Sequence, residues 1–181
     1  GFRSQYGEIR VGLGDPTAVP DFKMARAAAA EGGGDPGVSE LKAGVDQAIA
    51  LAQSGKPDEA LAVYADLAAK NPNVHQIPYN MGLLYAGKKD WANAEASYKN
   101  AQEIKPDYTE ALAQLSTIYV NTGRAAEANQ LLASSSAGSD PKLLLQQGVV
   151  LFNTGKQAEA AEIFQKLVAA DPTSAEPYYY L

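Results

Sequence analysis

The residue types that could carry chemistry are few in this chain, and they are scattered. Its single histidine, His75, stands beside Gln76 and Pro78. A general base needs a nucleophile or an orienting partner, and a zinc site needs several ligands. The sequence supplies neither, so His75 reads as a surface residue whose imidazole titrates near neutrality. Cysteine is absent, which removes thiol nucleophiles, disulfides and cysteine metal sites. Paired acids such as Asp58–Glu59 fall where a helix begins, as do Glu127 and Glu159, and negative charge is favourable there. The G-x-G of VGLGD, residues 11–15, lacks a third glycine and any βαβ context. The GGG at residues 32–34 lacks the lysine–serine or lysine–threonine end of a phosphate loop. The expectation is no catalytic site, no cofactor and no metal.

Composition narrows the partners. A net charge of -6 argues against nucleic acid or anionic lipid as the main ligand. The ten tyrosines would need interleaved basic residues to form a platform for bases. Most of them, including Tyr64, Tyr85, Tyr98 and Tyr119, fall instead at spacings that predict packing. No run approaches the roughly 20 apolar residues needed to span a membrane, so a soluble domain without direct membrane insertion is expected. The apolar fraction of 46% is enough for a sizeable core. The chain starts GFRSQY without a methionine, as a piece or processed product of a longer protein would. The compartment stays open, cytoplasmic or extracytoplasmic.

The elements that must position these residues show a period. Ala60, Ala94, Ala128 and Ala160 stand 34, 34 and 32 residues apart. Four residues beyond each lies a large apolar side chain: Tyr64, Tyr98, Leu132 and Phe164. Prolines follow at Pro72, Pro106, Pro141 and Pro172, and Gly55, Gly123 and Gly155 lie five residues before the alanines, with Lys89 in that place in the second unit. Each string, such as GKPDEALAVYADLAAKNP, reads turn, helix, stop, and each follows another stretch with apolar residues three and four apart. The predicted unit is two antiparallel helices of about 12 to 15 residues. One hairpin cannot bury its apolar face alone, so units must stack. Small residues at Gly82 and Ala94 are expected to face one another where the two helices approach.

These strings resemble the tetratricopeptide repeat, a helix–turn–helix unit of 34 residues, over about residues 40–172. The family's small residue in the first helix is Ala48, Gly82, Ser116 and Gly148, and its large residue three positions on is Leu51, Tyr85, Tyr119 and Leu151. The early aromatic of the first helix is missing, with Gly44, Pro78, Leu112 and Leu144 in its place. The resemblance implies an all-α fold, a superhelical array of antiparallel helix pairs (α-solenoid), with four hairpins spanning residues 38–170. AEPYYYL then starts a fifth, truncated unit. Residues 1–37 do not fit the repeat. They read as an irregular N-terminal segment: residues 6–13 suggest one short strand, either the last strand of a preceding β domain or a locally ordered extended tail, and residues 21–30 a short helix. The repeat domain is therefore set at 38–181. In the third unit ASSSAGSDP is poor helix-forming sequence, so its second helix should stop near residues 133–135.

The resemblance also implies where a partner binds. In this family the first helices line a concave face that holds a peptide or a partner helix. Its ligand-facing positions carried onto this chain give Val45 and Ile49; Tyr79, Leu83 and Ala86; Thr117, Val120 and Asn121; Leu145, Val149, Phe152 and Asn153. The family's carboxylate clamp needs lysines and an asparagine that these positions lack, so an apolar or amphipathic peptide or helix fits better. Two outcomes are open for the apolar members: they contact the ligand, or tight curvature buries them against each other. The function implied is a non-catalytic protein-interaction scaffold. The alternatives are an accessory or assembly domain, with the groove filled by its own N-terminal segment or a neighbouring copy, and, least favoured, an enzyme domain. Exposed terminal repeats would offer a route to self-association.

Overall fold

A computed structural model of the chain describes residues 36–134 and 140–181. Nine helices occupy the described residues, and no strand is found among them. They pair in sequence: α1 (Pro36–Gln53) with α2 (Pro57–Lys70), α3 (Gln76–Gly87) with α4 (Trp91–Ile104), α5 (Thr109–Asn121) with α6 (Ala125–Ser134), and α7 (Pro141–Asn153) with α8 (Gln157–Ala170). A short α9 (Ala175–Tyr179) follows against α8. Each second helix also packs on the first helix of the next unit, and α5 touches α7. This is the four-hairpin array that the period predicts. The strand and helix read over residues 6–13 and 21–30 lie outside the described residues.

Each hairpin turns in the same way. The N–H one residue past the turn position reaches back to a carbonyl in the last turn of the first helix: Lys56 to Leu51, Asp90 to Tyr85, Arg124 to Tyr119 and Lys156 to Leu151, at 2.7–3.0 Å. This closure needs a left-handed residue. Gly55, Gly123 and Gly155 supply it with φ of 75°, 78° and 82°, and Lys89 takes φ 59° in the second unit. Pro72, Pro106 and Pro172 lie just past the ends of α2, α4 and α8. Pro141 behaves differently. It is the first residue of α7, where a missing N–H costs nothing, so it opens a helix rather than closing α6. The described part of α6 runs to Ser134, and the loop expected after it falls on residues 135–139, which lie outside the described residues.

The core follows the repeat. Tyr64, Tyr98 and Phe164 are wholly buried, as are Ala60, Ala94, Ala128 and Ala160. The small residues of the first helices have a partner that differs from the expected alanine. A Cβ at Gly82 would meet three atoms of the Tyr98 ring, the nearest at 2.5 Å, and one at Gly148 would meet the Phe164 ring at 2.6 Å. The glycines seat an aromatic ring rather than another small residue. One apolar cluster runs from Val45 to Val150 through the first three hairpins and one face of α7. A second holds Val149, Leu151, Ile163, Phe164 and Leu167, with Tyr180 against it.

Candidate functional site

The residues read as ligand-facing fall into three groups by exposure. Val45, Tyr79, Leu83 and Val149 are buried. Ile49, Ala86, Thr117, Val120 and Leu145 are half-buried. Asn121, Phe152 and Asn153 are exposed. The buried members pack within the apolar clusters, so most of the area open to a ligand belongs to the other two groups. Phe152, at 39% exposure, is the most open large apolar side chain of the set, and its ring meets Tyr180 edge-on at 5.5 Å. None of the twelve carries a charge.

Tyr79 belongs to an aromatic cluster that joins the second and third hairpins. Its ring lies 5.7 Å from Tyr98 and 5.1 Å from Tyr108, and Tyr108 meets His75 edge-on at 4.6 Å. Burial, with the charge of Glu110 behind it, pushes the Tyr79 phenol up to about 12. His75, expected on the open surface, is instead half-buried under Tyr108. Burial first, then the nearby charge of Lys105, hold its pKa below the ordinary histidine value, against a smaller opposing pull from Glu110. The imidazole therefore acts as a packing group in the joint. Among the described residues no group of three or more His, Cys, Asp or Glu side chains could hold a metal. No described helix is long and apolar enough to cross a membrane.

Several polar links between units escaped the sequence reading. Asn80, buried, donates to the Tyr64 hydroxyl at 3.2 Å, tying α3 to α2. Glu95 accepts two bonds from Arg124, at 2.8 and 3.0 Å, and one from Lys99 at 2.7 Å, while Arg124 lies over the Tyr119 ring at 4.2 Å. These cations hold the Glu95 carboxyl down at about 2, with the Arg124 bonds the largest cause. Gln146 of α7 donates toward the Ala113 carbonyl and the hydroxyls of Ser116 and Thr117 on α5, at 2.8–3.0 Å. Thr117 is thus already engaged by its own chain. For the links of Asn80 and Gln146 the local signal was polarity at one recurring position, Asp46, Asn80, Gln114 and Gln146; Glu95 and Arg124 share no such position.

Comparison with known proteins agrees with this geometry. No curated protein sequence matches the chain significantly. Solved structures do. MamA (residues 41 to the end) from Desulfovibrio magneticus RS-1 is 19% identical at a TM-score of 0.62, over 76% of this chain and 79% of that one. PilF of Pseudomonas aeruginosa is 16% identical at 0.65, over 81% and 68%. YrrB, described as a tetratricopeptide repeat protein with an unusual peptide-binding site, is 19% identical at 0.59, over 81% and 80%. At such identities the likeness is one of fold. The tetratricopeptide repeat profile matches residues 45–109 and 114–175, and a second profile of the same name matches 85–140. With the four hairpins in phase and most of the length matched, the chain belongs to the tetratricopeptide repeat family.

Proposed function

We propose that the chain is a non-catalytic scaffold, with residues 38–181 as its repeat domain, and that it binds an apolar or amphipathic peptide or helix across its first helices. What supports this reading is that Ile49, Val120, Leu145 and Phe152, at positions that the family's repeat register puts on one face, are uncharged and at least partly exposed, as are the amides of Asn121 and Asn153. Apolar side chains would anchor the ligand and the amides would meet its backbone. The peptide-binding site described for YrrB, on the same fold, supports a peptide ligand.

A photo-reactive amino acid placed at Asn121 or Asn153 tests it. Crosslinking there should capture a protein partner. The same group at the exposed Ala62 or Ala96, on second helices, should not. Phe152→Glu should weaken capture while leaving the helical circular dichroism unchanged. Equal capture from both faces would remove the groove from consideration. Capture of a second copy, or of the chain's own residues 1–37, would favour the assembly reading.

A further inference from the structure

His75 stands just before α3 and Tyr108 just before α5, so the contact of their rings spans the joint between the second and third hairpins. Three groups meet the Tyr108 ring. His75 lies edge-on at 4.6 Å, Tyr79 edge-on at 5.1 Å, and the Lys105 ammonium 5.2 Å from the ring centre. Tyr79 lies in turn 5.7 Å from Tyr98. Tyr79, Tyr98 and Tyr108 are buried, and the half-buried imidazole is the most exposed of the four rings.

The charges around the imidazole are few. Helix α3 has no charged side chain. Lys70, at the end of α2, is paired with Glu40. The end of α4 and the segment after it carry Glu103, Lys105 and Asp107, and α5 opens with Glu110. Burial opposes a proton on His75 most, Lys105 opposes it next, and Glu110 favours it. Burial raises the Tyr79 and Tyr108 phenols above their ordinary value, so both stay neutral where histidine titrates. A neutral imidazole packs on Tyr108 as one more ring edge. A protonated one brings a second cation to a ring that Lys105 already covers, with part of its hydration removed. The charged form therefore gains by leaving the ring for the water beside it.

We propose that His75 is an acid-released latch on this joint: when its imidazole takes a proton it leaves the Tyr108 ring, and the contact of Tyr79 with Tyr108 loosens with it. The latch is closed above about pH 6.5, where the imidazole is neutral in the folded and unfolded chain alike, and it weakens as pH falls from there. Release would let α3 shift against α5, moving Ala86 relative to Thr117 and Val120, so a ligand held across these helices would be let go in acid. That consequence rests on the groove reading. The latch itself does not, and it is tested without any ligand.

The chain holds one histidine, so proton NMR of the whole chain reads its imidazole directly. With ring-labelled tyrosines, the Overhauser contacts of Tyr108 with His75 and with Tyr79 are followed from about pH 8 to about pH 5. Both contacts should weaken with the midpoint of the His75 titration. Lys105→Met should move that midpoint and the loss of contact up in pH together, and Glu110→Gln should move both down. In His75→Gln the contact of Tyr79 with Tyr108 should persist over the whole range. Both contacts kept at full strength below the His75 midpoint would overturn the proposal. So would an imidazole that stays neutral down to pH 5, a loss of contact that persists in His75→Gln, or midpoints that part in either charge variant.

Discussion

Ala94 shows how little room a single position leaves. It is wholly buried, within the apolar core between hairpins. A leucine adds three carbons to a filled space, so Ala94→Leu should destabilise the chain by about 1–3 kcal/mol. Urea melts of the two proteins measure it; an unchanged midpoint would mean that the site can accommodate the added volume. His75 makes a prediction in pH. Its folded-state pKa lies below the ordinary value, so the folded chain binds fewer protons than the unfolded one between those two values. Its contribution is therefore full above about 6.5 and declines as pH falls through 6.5 toward the lowered value. His75→Gln should flatten this part of the stability curve, seen as a smaller drop in urea midpoint between about pH 8 and about pH 5. An identical drop in both proteins would assign the slope to other groups.

At the scale of the element, the turn after each first helix decides where the second begins. Three units place glycine at the left-handed position and one places Lys89 there, at φ 59°. A side chain in that region costs roughly 1–2 kcal/mol, and glycine gives part of that gain back as unfolded-state entropy. Lys89→Gly should thus raise stability by about 0.5–1 kcal/mol, read as a higher midpoint in thermal or urea melts. A lower midpoint would mean that the lysine makes a compensating contact. The positions of the hairpin turns were legible in the sequence because such closures are local. Glycine five residues before the small alanine is enough to mark them.

For the whole molecule, the polar hold of one hairpin on the next comes from side chains 16 to 33 residues apart in sequence. Glu95 and Arg124 form the best-bonded of these. Glu95 is held at about 2, below the ordinary carboxylate value, so its contribution is present above about 4.5 and is lost as pH falls from there toward 2. Arg124 is largely in water, so screening keeps the contribution of the pair small. Glu95→Gln should lower the urea midpoint slightly at pH 7 and leave little difference from the parent near pH 2. A difference that persists in acid would point to packing rather than charge.

The sequence by itself determined the repeat, the pairing of helices, the turn positions and the wholly buried alanines and aromatics. All of these follow from spacings within one unit, where a helix of 3.6 residues per turn fixes which side chains share a face. The tertiary structure alone decided how far each first helix is covered by its neighbour. It buried Val45, Tyr79, Leu83 and Val149 while leaving Phe152 open, placed His75 under Tyr108, and set Gln146 against Ser116. Those outcomes depend on the tilt between successive hairpins. That tilt is the sum of many small packing choices at the joints, and no spacing within a single unit encodes it.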